Sequence, residues 1–229
     1  MIVLFDIDGT LLSADRSGYI ALEMAIRDVL KSPLGLTGIS LDGNTDTNAL
    51  LQISARDGTP FPDEKLLKEF KCYYSEILKR EILNKGHLKP GISEILSRLS
   101  LQKNLHLGLV TGNFKEGAFI KLSRFGIQNF FSFGAYGCEN PERSQLIGLA
   151  IERAKGKGSI ETVNPRSVVM IGDTVNDVKA CHPWGIRSLG VATGSFSQAR
   201  LSEAGADLAV KDLSEVDEII DWLLKIEED

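Results

Sequence analysis

The sequence has few cysteines and no cluster of them. Cys72, Cys138 and Cys181 are spread over 229 residues, and no CxxC pair occurs. Widely spaced thiols in odd number favour neither a disulfide framework nor a zinc site. We therefore expect three buried or partly buried thiols without a chemical role.

The chain also lacks a surplus of basic residues and a long apolar run. It has 26 Lys and Arg against 31 Asp and Glu, for a formal net charge of -5. Nucleic acids and membrane surfaces are usually bound by clustered basic side chains, so neither is expected as a partner. No apolar run approaches the roughly 20 residues of a membrane span, and the first residues lack the basic region of a signal peptide. A cytoplasmic location is the resulting expectation, and the oligomeric state is not indicated.

Short apolar runs are instead the main feature, in a chain that is 43% hydrophobic. They predict buried parallel strands, the clearest at residues 2–5, 105–110 and 168–171, and weaker ones at 130–133, 188–192 and 207–210. Helical patterns lie between these runs. Strands that alternate with helices predict an α/β fold, with a parallel sheet covered by helices on both faces.

The segment from residue 14 to residue 85 interrupts this alternation. Apolar residues recur there at helical spacing over residues 22–30 and 66–78, and residues 47–56 predict a further helix between them. We therefore predict a helical insert at 14–85, placed after the first strand, and a core formed by residues 1–13 and 86–229.

Two carboxylates follow the first predicted strand directly, in the run Asp6-Ile7-Asp8-Gly9-Thr10. Residues two apart on an extended chain point to the same side, and the carboxyl end of a parallel strand faces the ligand crevice. Asp6 and Asp8 would repel each other unless a cation lay between them, and Mg²⁺ suits oxygen ligands. The alternative is a solvated acidic turn.

Polar residues also follow the strands predicted at 105–110 and 168–171. A hydroxyl and backbone N–H groups at Thr111, Gly112 and Asn113 suit a phosphate, although Thr111 could simply cap the next helix. Asp173 and Asp177 could hold a metal or orient its waters. In the alternative interpretation Asp173 or Thr174 caps a helix, and Asp177 is an acid of its first turn.

Taken in order, these motifs resemble those of the haloacid dehalogenase-like hydrolase superfamily over nearly the whole chain. Its DxDGT motif corresponds to residues 6–10, its strand-ending Ser or Thr to Thr111, and its late acidic pair to Asp173 and Asp177. The resemblance implies a Rossmann-like core and identifies the insert as an all-helical cap domain.

The family's remaining motif is a Lys or Arg between the second and last motifs. The commoner Lys-Pro pair is missing here, and Arg143 is the preferred candidate because its guanidinium could bridge a carboxylate and a phosphate. Lys115 and Lys155 are rivals. In the alternative interpretation, Arg143 is a solvated residue at a helix start.

The resemblance also implies a mechanism. Asp6 attacks phosphorus and forms an aspartyl-phosphate, while Asp8 acts as acid and then as base. Mg²⁺ is held by the Asp6 carboxylate, the Asp8 backbone carbonyl and Asp173, with Asp177 in support. The transferring phosphoryl group is bound by Thr111, Gly112, Asn113 and Arg143. Asp8 favours phosphate esters, because dehalogenases lack a carboxylate there.

A polar loop at residues 41–47 lies inside the insert. Similar loops contact the substrate in phosphoglycolate-phosphatase-like members, so Thr45 and Asp46 are candidate specificity residues. The alternative is a solvated loop in which Asp46 caps the next helix.

The expected function is that of a Mg²⁺-dependent phosphatase acting on a small phosphorylated metabolite resembling phosphoglycolate. A sugar phosphomutase of the β-phosphoglucomutase kind shares the core motifs, and a non-catalytic scaffold is an alternative of another class. The family's phosphonate-cleaving branch needs a cap lysine, and Lys31 is not clearly placed for that role. The sequence does not identify the substrate.

Overall fold

A six-stranded parallel sheet lies at the centre of the molecule, in a computed structural model that describes residues 1–156 and 163–225. In chain order the strands are β1 (Ile2–Phe5), β2 (Leu12–Ser13), β3 (His87–Leu88), β4 (His106–Thr111), β5 (Phe133–Tyr136), β6 (Val168–Gly172), β7 (Arg187–Val191) and β8 (Leu208–Val210). The sheet order is β5-β4-β1-β6-β7-β8, whereas β2 and β3 form a separate antiparallel pair. The carboxyl ends of β1, β4 and β6 therefore lie side by side.

Helices follow most of these strands. They are α1 (Ser17–Asp28), α2 (Asp46–Asp57), α3 (Glu64–Ile82), α4 (Ile92–Ser100), α5 (Lys115–Arg124), α6 (Arg143–Lys155), α7 (Val175–Cys181), α8 (Gln198–Glu203) and α9 (Val216–Leu224). Within the described ranges, none of the helices combines the length and apolarity needed to span a membrane.

Both faces of the sheet are covered, because successive side chains of each strand point to opposite sides. In β1, Val3 and Phe5 pack into a core that includes apolar residues of α4, α5 and α9. Ile2 and Leu4 pack into a second core with residues of α6 and α7. The predicted α/β fold, with helices on both faces of a parallel sheet, is confirmed.

Five of the six predicted strands lie within one residue of their predicted positions, but the strand predicted at 130–133 is wrong. Residues 128–130 form a 3₁₀ turn, and β5 begins only at Phe133. The apolar run at 130–133 is not a strand, because Phe131 packs edge-on against the ring of Phe5, with centroids 5.9 Å apart, instead of joining the sheet. The strand itself has two small residues, Gly134 and Ala135, at its centre, and at Gly134 an added Cβ would lie 2.9 Å from Leu109 Cβ.

The helices α1, α2 and α3 occupy the interrupting segment, and no strand falls between residues 14 and 85. The short ladder of β2 and β3 joins the chain as it enters and leaves this segment, pairing Leu12 with Leu88. The side chains of Phe70 and Tyr74 in α3 pack edge-on against Phe114, with ring centroids 6.1 Å apart. This aromatic contact places the helical segment over the carboxyl ends of the strands.

Candidate active site

A cleft of about 430 Å³ opens at the carboxyl ends of β1, β4 and β6, beneath the helical segment. Its lining includes most residues that the sequence singled out, namely Asp6, Asp8, Asp46, Thr111, Gly112, Asn113, Arg143 and Asp173. They converge because neighbouring parallel strands end at the same edge of the sheet, and each of these three strands ends just before or within one of the motifs.

Three buried carboxylates surround one buried guanidinium beside this cleft. Potential ligand oxygens of Asp6, Asp173 and Asp177 lie within 4.8 Å of one another. Arg143 Nη2 lies 2.7 Å from Asp6 Oδ1 and 2.5 Å from Asp177 Oδ1. One guanidinium against three ionised carboxylates would leave two negative charges uncompensated. An all-oxygen donor set with this charge fits a hard divalent cation.

The pKa values of the acids reflect this crowding. Burial raises the pKa of Asp6 to about 6, although the Arg143 guanidinium opposes the shift. Burial, together with the charges of Asp177 and Asp6, raises the pKa of Asp173 to about 8. Asp6 and Asp173 therefore bind protons more tightly than ordinary carboxyls when only the guanidinium is present to balance their charge.

Asp177 uses its two carboxylate oxygens differently. Oδ2 accepts hydrogen bonds from the Thr174 backbone N–H at 3.0 Å and from the Thr174 hydroxyl at 2.6 Å, and Thr174 Oγ1 caps α7 in return. Oδ1 faces Arg143. The sequence offered a role at the start of α7 and a role in the acidic cluster as alternatives for Asp177. In the structure Asp177 has both roles.

Of the three basic residues that the sequence offered for the cation of the remaining motif, Arg143 reaches the cleft. Only 8% of it is exposed, so the interpretation as a solvated helix-start residue is wrong. Lys115 instead lies over the ring of Tyr136, 5.7 Å from its centroid, and Lys155 pairs with Glu152 at 2.8 Å. Neither lysine lines the cleft.

The loop after β4 is held by its own side chains. Thr111 is the last residue of β4, and its hydroxyl accepts hydrogen bonds from the Asn113 backbone N–H at 3.3 Å and from Asn113 Nδ2 at 2.8 Å. The N-cap of α5 is Phe114, so the interpretation of Thr111 as that cap is wrong.

Asp46 fastens the helical segment to this loop. Its N–H donates to Gly112 O at 2.8 Å, and its carboxylate accepts from the Phe114 N–H at 2.7 Å. Burial raises the pKa of Asp46 to about 6, although the Phe114 N–H opposes the shift. The alternative of a solvated loop is therefore wrong at this residue.

Thr45 faces away from the cleft. Its hydroxyl donates to Pro141 O at 2.9 Å and accepts from the Asn48 N–H at 3.1 Å, so Thr45, and not Asp46, caps α2. The close approach of these segments requires glycine, because a Cβ on Gly112 would lie 2.0 Å from Asn44 O.

The sequence interpretation missed Lys121 in α5, a buried charged residue that also lines the cleft. It is 4% exposed, and its Nζ lies 2.6 Å from both Asp8 Oδ2 and Asn113 Oδ1. A signal was present in the sequence: Lys121 lies seven residues after Phe114 and three after Ala118, which is the spacing of the buried face of a helix. A lysine at such a position needs a buried or partly buried partner.

The fold and the cleft define an α/β protein with an acidic site, suited to a cation, at the carboxyl ends of its strands. A family model described as haloacid dehalogenase-like hydrolase matches residues 3–191. The chain belongs to this family, as the sequence motifs predict.

Individual relatives agree with this assignment. A phosphoglycolate phosphatase from Pasteurella multocida is 26% identical over 224 residues, covering 93% of this chain and 94% of its own. A solved structure described as a predicted phosphoglycolate phosphatase from Haemophilus somnus superposes with a TM-score of 0.67 at 21% identity, covering 96% of this chain and 97% of its own. A solved structure of a Thermotoga maritima protein, described as a predicted β-phosphoglucomutase, superposes with a TM-score of 0.65 at 22% identity, covering 97% of this chain and 99% of its own. The family and the phosphatase names of relatives support a phosphoric monoester hydrolase.

Proposed function

We propose that this protein is a Mg²⁺-dependent phosphatase that hydrolyses a small phosphorylated metabolite, with Asp6 as the nucleophile. The observation that carries this proposal is the position of Asp6. It follows β1 directly, is 5% exposed, lies beside Arg143 and lines the 430 Å³ cleft. A nucleophile must be held close to a positive charge that can bind the phosphate oxygens, and Arg143 supplies that charge.

The acidic cluster supports the choice of metal. Asp6 and Asp173 would hold Mg²⁺, with Asp177 in support and, by the family resemblance, the backbone carbonyl of Asp8. The pKa of about 8 at Asp173 indicates that this group of acids lacks positive charge. When bound, the cation shields the Asp6 carboxylate from the negative charge of the phosphate.

The chain's own residues then perform two displacements. In the first, an Asp6 oxygen bonds to phosphorus, the ester P–O bond breaks, and Asp8 gives its proton to the departing alcohol. In the second, Asp8 takes a proton from a water that attacks the aspartyl-phosphate, which releases phosphate and restores Asp6. Asp8 suits this role because its side chain is 43% exposed and lines the cleft.

The remaining site residues position the phosphoryl group. Its oxygens would be bound by the Thr111 hydroxyl, the backbone N–H groups of Gly112 and Asn113, and Arg143. In phosphoryl transfer such positioning and charge stabilisation supply most of the catalysis. Thr111 ends β4, Gly112 and Asn113 follow it, and Arg143 begins α6.

We also propose that residues 14–85 act as a cap over a core of residues 1–13 and 86–229. The segment covers the cleft and would exclude water from the reaction. Asp46 lines the cleft and is placed to contact the substrate's leaving group. Thr45 would act only indirectly, because its hydroxyl is engaged by Pro141 and Asn48.

The substrate we propose is a small phosphorylated acid similar to phosphoglycolate. Two observations support a small substrate: the cleft volume lies at the lower end of the range for ligand pockets, and the Pasteurella multocida relative is a phosphoglycolate phosphatase. We propose that this protein acts on the same kind of substrate as that relative.

A panel of phosphorylated metabolites, assayed for phosphate release with Mg²⁺, tests this function. We expect turnover of 2-phosphoglycolate or a close analogue, and at least a roughly thousand-fold loss in Asp6→Asn. Asp63→Asn is the matched control, because Asp63 caps α3 away from the cleft and asparagine also caps helices. Full activity in Asp6→Asn would contradict the mechanism. Isomerisation of a hexose phosphate without phosphate release would favour the phosphomutase.

A further inference from the structure

Two donors hold the same carboxylate oxygen of Asp8. Lys121 Nζ donates to Asp8 Oδ2 at 2.6 Å, and Asn113 Nδ2 donates to it at 2.7 Å. Lys121 also donates to Asn113 Oδ1 at 2.6 Å, which fixes the amide. The three side chains thus form a closed triangle around Asp8 Oδ2.

The other oxygen of Asp8 is left open. Over residues 1–156 and 163–225, no group donates a hydrogen bond to Asp8 Oδ1, and the side chain is 43% exposed at the cleft. Anchoring one oxygen restricts the side-chain rotamer, so Oδ1 is presented in a fixed direction.

Lys121 is itself held from two sides. It lies on α5, and α1 covers it at Gly18, where an added Cβ would lie 2.9 Å from Nζ and 3.2 Å from Cε. Burying an ammonium group is costly, and pairing it with a half-exposed carboxylate stabilises a fold little. Fold stability therefore accounts poorly for a lysine at this position.

We infer that Lys121, with Asn113, is a positioning residue that holds Asp8 so that Oδ1 faces the oxygen of the leaving group. The inference rests on the proposed function, because it assigns these residues to the proton transfer in the first displacement. It predicts that loss of Lys121 harms substrates in proportion to how much their leaving group needs that proton.

The test compares two esters. An alkyl phosphate releases an alkoxide that must be protonated, whereas p-nitrophenyl phosphate releases a stable phenolate. In Lys121→Met we expect kcat/KM for the alkyl ester to fall roughly 10- to 100-fold, because misplacing the acid loses part of the roughly 100- to 10,000-fold that general acid catalysis contributes. For the aryl ester we expect a loss of less than about threefold. Lys121→Arg should restore part of the loss. Inhibition by inorganic phosphate should change by less than about twofold, because Lys121 does not bind the phosphoryl group.

Two further variants complete the design. Gly18→Ala keeps the lysine but displaces its ammonium group, so it should give a smaller loss with the same preference for the alkyl ester. If Lys121→Met does not fold, the ester preference of Gly18→Ala still tests the inference. Lys115→Met is the matched control, since Lys115 is an exposed lysine of the same helix, and both esters should be hydrolysed as by the wild type.

Other outcomes overturn the inference. Equal losses on both esters would mean that Lys121 supports the fold, weaker phosphate inhibition would mean that it binds the phosphoryl group, and unchanged kinetics would mean that it does neither. If the wild type hydrolyses neither ester, the proposed function fails as well. If the wild type is active and only the ester preference is missing, the inference alone fails.

Discussion

Removal of divalent metal should make the protein less stable as the pH rises, and Mg²⁺ should reverse this. The pKa of Asp173 in the folded protein is about 8, whereas an ordinary carboxyl ionises near pH 4. Between these values the folded state binds a proton that the unfolded chain has lost. The unfolding free energy of the metal-free protein therefore falls as the pH rises from about 4 to about 8, and stays lowered above that.

The size of the effect follows from one proton. A single retained proton changes the unfolding free energy by about 1.4 kcal/mol per pH unit. For a chain of this size 1 kcal/mol shifts Tm by roughly 2–4 °C, so Tm should fall by about 3–6 °C between pH 6 and 7. Mg²⁺ at a hundred times its Kd adds about 2.7 kcal/mol. Its effect should be larger at pH 8 than at pH 6, where it must displace protons.

Thermal unfolding followed by circular dichroism, in EDTA and in MgCl₂ across this pH range, measures both effects. Asp173→Asn is the control, because it removes the titrating carboxyl while keeping the shape of the side chain. It should flatten the pH dependence in EDTA and abolish most of the response to Mg²⁺. A wild-type Tm that does not respond to Mg²⁺ at pH 8, or that responds more at pH 6, would refute the reasoning.

Three further substitutions test the packing around the cleft, each by thermal unfolding. Phe114→Ala should lower the unfolding free energy by about 3–5 kcal/mol, because Phe114 is fully buried and packs against Phe70; a loss under about 1 kcal/mol would contradict this. Thr174→Ala should cost about 1 kcal/mol by removing the cap of α7, and should also weaken activity by freeing Asp177; unchanged Tm and kcat would contradict it. Asp46→Asn should not lower Tm at pH 7.5, because the raised pKa of Asp46 means that its ionisation destabilises the fold and an amide oxygen can still accept the hydrogen bond; a lower Tm would contradict it.

Much of the fold was predictable because local patterns determine it. The runs at 2–5 and 168–171 are apolar on both faces of the sheet, as is typical of short strands buried in a parallel sheet. The β2–β3 pair and α8 were missed, because two-residue strands carry no periodicity and α8 is too short for an apolar stripe. At β5 the apolar Phe130 and Phe131 outweighed Gly134 and Ala135, the two small residues at the centre of the strand.

The acidic positions of the site were also predictable, because Asp6, Asp8 and Asp173 stand at abrupt ends of apolar strands. Contacts between the helical segment and the core were not. The opposite orientations of Thr45 and Asp46 depend on where Gly112 and Pro141 lie in space. The Asp8 partner of Lys121 is 113 residues away in sequence, a separation that no local pattern records.

Direct detection of the aspartyl-phosphate tests the central claim most closely. The protein, Mg²⁺ and a hydrolysed substrate would be mixed, quenched in acid during turnover, and digested for mass spectrometry. We predict a phosphate adduct on the peptide that contains Asp6, located on Asp6 by borohydride reduction and absent in Asp6→Asn. Turnover without any adduct, or with the adduct on another residue, would contradict the account.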